Sequence, residues 1–351
     1  MTRLGDVCAI RYGKDHKKLS DGSIPTYGSG GIMRYVDTAI CEQPSVLIPR
    51  KGTLGNLFYT DEPFWTVDTL FWTDIDQTKI VPKYLYYQLK QKDLASYNVG
   101  TAVPSLTVEV LNEIDLDVPS IDKQRRIVEV LNSFDSKIAL NNQLNDYLAN
   151  LCETIASRYC NDRNSRLRDI CYQVADHVDY DNANQETYVS TESLMQNKGG
   201  RQLASSLPTT GKITRYKAGD TLISNIRPYF KKIWYAPFEG TCSGDVIVFR
   251  ANDPSNAPYL HACLRQDSFF DYVMQGAKGT KMPRGDKKQM MEFKVASSCS
   301  AEDLILLDSV IKQRSDNDSE ITKLQKLRDT LLPKLMSGEI DVSKIDLTQL
   351  T

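Results

Sequence analysis

One stretch of this chain occurs twice, and the repeat limits the folds open to everything else in it. The first copy runs from Asp122 to about Tyr159 and the second from Ala301 to about Met336. Within them Leu148-Ala149-Asn150-Leu151-Cys152-Glu153-Thr154-Ile155 aligns with Leu324-Gln325-Lys326-Leu327-Arg328-Asp329-Thr330-Leu331, and both read Leu-x-x-Leu-x-acid-Thr-aliphatic. In the first copy Ile127, Leu131, Phe134 and Ile138 are spaced 4, 3, 4. Asn141 and Asn142 interrupt the stripe, and Leu144, Leu148, Leu151 and Ile155 resume it. So narrow an apolar seam predicts a long helix packed on another long helix. The second copy carries a less regular seam of Leu304, Leu307, Ile311, Ile321, Leu324, Leu331 and Leu335. Each copy follows a globular segment of similar length, so the period marks duplicated domains rather than a solenoid.

At 351 residues the chain has room for two domains. No apolar run is long enough to span a bilayer. No basic start followed by an apolar stretch marks a secretory signal, so a cytoplasmic protein away from the membrane is expected. The eight cysteines contain no Cys-x-x-Cys, which predicts free thiols rather than a zinc site or a disulfide framework. The net charge of −2 hides an asymmetry: residues 163–299 carry +5, against −3 for 1–120, −1 for 121–162 and −3 for 300–351. Between Lys198 and Lys232 stand eight basic residues and one acid, Asp220. Charge of that sign fits a polyanion footprint, and it also fits a solvated basic face.

Chemistry of the catalytic kind is missing. The three histidines, His16, His177 and His261, have no partners at metal or triad spacing. There is no Gly-x-Ser-x-Gly and no Asn-Pro-Pro-aromatic run. Gly28, Gly30 and Gly31 suggest a phosphate loop only superficially, since no Gly-Lys-Ser/Thr and no helix pattern follow. The expectation is therefore binding, with no catalytic residue, no metal and no cofactor in this chain.

The globular segments read as variants of one plan. Ser45–Pro49, Asn56–Tyr59, Val67–Trp72 and Ile114–Val118 predict strands, and Pro82–Lys92 predicts a helix. Lys14–Lys18 and Gly100–Pro104 predict loops. Leu4-Gly5-Asp6-Val7 corresponds to Leu167-Arg168-Asp169-Ile170, and the strand at 45–50 to Asp220–Asn225. Lys83-Tyr84-Leu85 corresponds to Pro258-Tyr259-Leu260, and Gly100-Thr101 with Pro104 to Gly279-Thr280 with Pro283. Between these anchors the halves diverge, which suits two recognition modules with different targets and equally suits drift. At the end, Pro333 is expected to kink or stop the second helix, Gly338 to terminate it, and the tail to be loosely packed.

Specific residues carry a resemblance. Gly100-Thr101-Ala102-Val103-Pro104, followed by Ile114-Asp115-Leu116-Asp117-Val118-Pro119-Ser120-Ile121-Asp122-Lys123-Gln124-Arg125-Arg126-Ile127-Val128, resembles the junction of target-recognition domain and spacer helix in type I restriction–modification specificity subunits. Ser120 stands where a second proline is common, and Asp122-Lys123 where two acids are common. Tyr27–Ile32 with Arg50-Lys51-Gly52 and Phe64–Leu70, and separately Gly219–Tyr229, look like two recognition-domain subtypes. Arg328–Gly338 is similar to a frequent ending of such subunits.

The resemblance implies an α+β chain: two target-recognition domains with mainly antiparallel sheets, joined by two long helices packed as an antiparallel coiled coil. It places the first domain at 1–120, the first helix at 121–162, the second domain at 163–299, the second helix at 300–337 and a tail at 338–351. It implies a sequence-specific subunit that reads a bipartite double-stranded DNA target and docks two methyltransferase subunits and restriction subunits. S-adenosylmethionine, ATP and magnesium would belong to those partners. A helix of about 36 residues spans roughly 54 Å, and half-sites on one face of B-DNA lie about 34–36 Å apart. A specificity subunit of a fused enzyme outside type I, or a two-domain scaffold without nucleic acid, remains open.

The residue types that hold phosphates or read base edges nominate contacts. In the first domain they are Lys14, Lys17, Lys18, Tyr27, Ser29, Arg34, Arg50, Lys51, Thr53, Asn56 and Thr101. In the second they are Lys198, Arg201, Asn225, Arg227, Tyr229, Lys231, Lys232, Lys278, Lys281 and Arg284. The loop at Asn225–Lys232 and the one at Lys278–Arg284 are expected to converge.

Overall fold

Ile121–Ser157 and Ala301–Ser337 are two continuous helices of 37 residues each in a computed structural model that describes residues 2–100, 103–159 and 164–344. The chain divides into two units, Met1–Ile138 with Thr322–Thr351, and Ala139–Ile321, so each unit contains part of both helices. In the first unit Ile127, Leu131 and Phe134 share a core with Leu332, Leu335 and Met336. Beside them the Asp135 carboxylate accepts from Arg328 at 2.8 Å. In the second unit Asn141 donates to Glu320 at 2.8 Å, Asn145 to Asp318 at 2.7 Å, and Arg158 to Asp303 at 2.8 Å. Numbers rise along one helix as they fall along the other, so the pair is antiparallel.

The seam departs from the simple apolar stripe in one layer. Ile127, Leu131, Phe134, Ile138, Ile155, Leu307, Ile311, Ile321 and Leu335 are buried, and Leu148, Leu151, Leu304, Leu324 and Leu331 are half-buried. Leu144 instead faces solvent. The inward positions there belong to Asn141 and Asn145, four residues apart on one face, with Asn317 opposite; all three are buried. Their amides are hydrogen-bonded, Asn317 to Asn145 at 2.9 Å among them, so the polar layer is satisfied rather than vacant.

Each unit carries the same antiparallel four-stranded sheet. In the first the order is Cys8–Tyr12, Leu70–Ile75, Ser45–Pro49, Phe58–Thr60. In the second it is Cys171–Gln173, Val246–Ala251, Thr221–Ser224, Ile233–Tyr235. A central strand needs apolar residues on both faces. Val46 and Ile48 pack on Tyr84 and Leu85 of the Pro82–Lys90 helix, while Leu47 points to Phe64 and Leu70. In the second unit Ile223 packs with Tyr259 and Leu260, while Leu222 meets Tyr216 and Trp234. Each unit adds a three-stranded sheet, of which the Asp21–Gly28 pairing with Trp65–Thr66 is parallel. The turns Leu4–Val7 and Leu167–Ile170 are capped alike, by Asp6 and Asp169 accepting from the backbone of Arg3 and Arg166 at 2.8 Å. The second half of the α+β duplication is thus built on the first half's frame.

Several local expectations change. Val67 to Thr69 is a turn closed by Leu70 N–H on the Val67 carbonyl at 3.0 Å, so that strand begins only at Leu70. The expected strand at 56–59 is Phe58–Thr60, and Ile114–Val118 contributes only the pair Asp115–Leu116, matched to Thr2–Arg3. Pro333 neither stops nor ends the helix, which runs on to Ser337. The buried neighbours Leu332, Leu335 and Met336 hold that last turn on the core. Gly338, with φ +78°, then terminates it. The tail is not loose where it is described: Val342 is buried in the first unit's core and its carbonyl accepts from Arg126 at 3.3 Å. The seven described cysteines are free thiols, and burial pushes those of Cys8 and Cys171 up to about 12.

Candidate nucleic-acid interface

In both domains the loop leaving the central strand pairs with the loop that precedes the last short helix. In the first domain Gly52 donates its N–H to the Pro104 carbonyl at 3.1 Å, and Leu106 donates to the Arg50 carbonyl at 3.0 Å. In the second, Arg227 donates to Pro283 at 2.8 Å and Gly285 to Asn225 at 3.3 Å. Isolated bridges sit at matching places, Lys51 with Ser105 and Ile226 with Arg284. The loop that divergence left unaligned is therefore held on an identical hydrogen-bonded frame, and the two basic loops of the second domain converge.

Around the first domain's frame, Lys51 and Thr53 are exposed. Arg50 is half-buried: its guanidinium donates to the Asp68 carbonyl at 3.1 Å and lies 5.4 Å from the ring centre of Tyr12. Asn56 donates to the Ser29 carbonyl at 2.8 Å, tying this loop to the tip of the hairpin formed by Asp21–Gly28 and Gly31–Val36. Tyr27 is half-buried against Phe58. Arg34 is engaged by Asp21 at 2.6 Å. Lys14, Lys17 and Lys18 are exposed on the loop whose Lys14 carbonyl accepts from the Trp65 indole at 3.0 Å. Thr101 lies outside the described residues.

The basic stretch of the second domain separates into two groups. Arg227 and Tyr229 are exposed, as are Lys278, Lys281 and Arg284. Lys278 is 3.3 Å from Asp286 and Arg284 is 3.2 Å from Asp245, both as surface pairs. The remainder are engaged within the fold. Lys198 is held by Glu153 and Asp267, each at 2.9 Å, and Lys231 by Asp267 at 2.8 Å. Lys232 donates to the Thr191 carbonyl at 2.6 Å. Arg201 lies over Trp234 and Phe238, 5.4 and 5.5 Å from their ring centres. Asn225 is buried beneath Gly285. A part-buried cation is stabilised by a partner inside the fold, and Lys198, Lys231 and Lys232 have theirs there.

Three further groups of exposed side chains stand out, and of their residues only Leu144 carried an expectation, as part of the helix seam. Ile32, Met33 and Tyr35 stand exposed on the first domain's hairpin. Lys287 and Lys288 follow Asp286, which caps their short helix. Leu140, Leu144 and Tyr147, at i, i+4 and i+7, leave an apolar stripe on the first long helix. That spacing was the available signal for the stripe. The hairpin residues alternate no differently from buried ones, so sequence gave no sign of their exposure. Among the described residues no three His, Cys, Asp or Glu side chains gather as a metal set.

Comparison with known proteins adds the following. Residues 1–150 match the family of type I restriction modification DNA specificity domains. The Escherichia coli type I restriction enzyme EcoprrI specificity subunit is 27% identical over 186 residues, covering 49% of this chain and 42% of that one. The EcoDI specificity subunit of the same species is 19% identical over 395 aligned residues, covering 96% and 87%. The chain spans less than half the length of the first curated relatives it matches, at 44%, 47% and 42%. In fold it is similar to the crystal structure of a type I restriction–modification S subunit from M. genitalium, with TM-score 0.55, 16% identity and 95% of each chain covered. Residues 1–150 are thus similar to a type I specificity domain, and the chain's fold is similar to that of a type I S subunit over nearly its whole length.

Proposed function

We propose that this chain is a non-catalytic DNA-specificity subunit that reads a bipartite double-stranded target, one half-site per recognition domain. The observation that carries the proposal is the common frame: Gly52 on Pro104 and Arg227 on Pro283 support loops of unrelated sequence. Loops presented by a rigid sheet are where recognition varies without loss of fold. The domains at 1–120 and 163–299 would hold phosphates through Lys14, Lys17, Lys18, Lys51, Lys278 and Lys281, all exposed. Base edges would be met by Arg227, Tyr229 and Thr53.

Two methyltransferase subunits would dock on the helix pair, with Leu140, Leu144 and Tyr147 as the stripe one of their helices covers. Restriction subunits would join through them. S-adenosylmethionine, ATP and magnesium would be bound by those partners, in the cytoplasm where the DNA is. The test is selection from a random duplex library by the full-length chain. Enrichment of two short motifs at a fixed gap is expected, and salt-dependent retention without any sequence preference would refute it.

A further inference from the structure

Among the described residues four non-glycine positions have left-handed backbone: Asn197, Lys198, Arg227 and Lys231. All four converge on one short turn, Pro228–Phe230. Arg227 and Lys231 are its two ends. Asn197 donates its N–H to the Phe230 carbonyl at 2.8 Å and Lys198 to the Lys231 carbonyl at 2.9 Å. Backbone of this kind persists only where the surroundings over-determine it, and it concentrates at functional sites. The turn presents exposed Arg227 and Tyr229.

The bracing reaches a helix. The Lys198 side chain, 10% exposed, places Nζ 2.9 Å from Glu153 Oε1, and Glu153 belongs to the first long helix. The same Nζ is 2.9 Å from Asp267, which also binds Lys231 at 2.8 Å. Arg265 closes the set, 3.5 Å from Glu153 and donating to the Lys198 carbonyl at 3.3 Å. Glu153 therefore answers two buried cations, and Lys198 is the link from it to the turn.

We propose that Glu153 is a positioning residue for recognition by the second domain: through Lys198 it holds the Pro228–Phe230 turn in the conformation that presents Arg227 and Tyr229 to the second half-site. It touches no DNA itself. The proposal rests on the DNA-reading function above.

The test is the same library selection with the full-length chain, comparing wild type, Glu153→Gln, Lys198→Met and the double variant. Each single variant is expected to lose about tenfold in preference within the second half-site while the first half-site keeps its preference. The double variant should be no worse than either single one, because both break one link. Wild-type preference in both half-sites of Glu153→Gln and Lys198→Met overturns the proposal. So does loss of both half-sites together, which marks a general folding role, and so do additive losses in the double variant. If wild type selects no sequence at all, the DNA-reading function itself has failed, a result distinct from these.

Discussion

Gly52 and Arg227 occupy the same position in the two domains: each follows the central strand, each has left-handed backbone, at φ +91° and +49°, and each donates its amide to a proline carbonyl. Glycine adopts this conformation freely, whereas a side chain there costs about 1–2 kcal/mol. The second domain keeps an exposed arginine at a place where glycine would be more stable.

That contrast makes a two-part prediction. Arg227→Gly should stabilise the second unit by about 1 kcal/mol, read from the urea midpoint, while weakening binding to the preferred DNA. Arg227→Ala keeps the strain and should cost about 1–3 kcal/mol of binding, relaxing one position of one half-site if the guanidinium reads a guanine. Unchanged affinity and motif in both variants would remove Arg227 from the interface.

Among the lysines, burial separates two outcomes. Lys281→Ala should weaken binding to all sequences alike and flatten the log–log salt slope by about one unit. Lys232, whose Nζ is spent on the Thr191 carbonyl, should leave the salt slope unchanged when replaced by Met. Equal slopes for both variants would contradict the division of the basic stretch.

On the helix pair, position decides between stability and docking. Leu307→Ala should cost about 2–5 kcal/mol, because that side chain is buried in the second unit's core. Leu144→Ala should change stability by less than about 0.5 kcal/mol. It should nonetheless reduce co-elution with the methyltransferase subunit on size exclusion. Retained co-elution of a Leu144, Tyr147 double alanine variant would move the docking site elsewhere.

A fourth expectation concerns acid. Burial alone would raise the Asp135 carboxyl, but hydrogen bonds from Tyr87, at 2.6 Å, and Arg328, at 2.8 Å, outweigh it and hold the group below its ordinary value. A folded-state value below the unfolded one contributes stability above the carboxylate range, and that contribution fades as pH falls through it. Asp135→Asn should therefore be less stable than wild type at neutral pH, with the gap narrowing below about pH 4. A gap constant with pH would contradict this.

How much the chain disclosed follows from what each kind of residue depends on. The long helices, their pairing and the matched anchors of the two domains were legible because period and local capping are set within a few residues: Asp6 and Asp169 cap identical turns. Leu144 was misplaced because a 4, 3, 4 count cannot tell which of two adjacent faces the partner helix covers; Asn317 opposite Asn145 decided it. The basic stretch divides for a similar reason. Lys198 and Arg227 are both cations in one charged run, yet Glu153 and Asp267 lie 45 and 69 residues from Lys198 in the chain and capture it. Which cation is left for DNA depends on such distant partners.

On the proposed reading, two domains on one helix pair recognise two half-sites. It is tested most directly by recovering the DNA preferred by the wild-type chain and by a chain whose second domain, 163–299, is replaced with that of a relative of different specificity. The expected result is a bipartite motif in which the swap changes one half and leaves the other half intact. A single undivided motif, or a swap that alters both halves together, would contradict it.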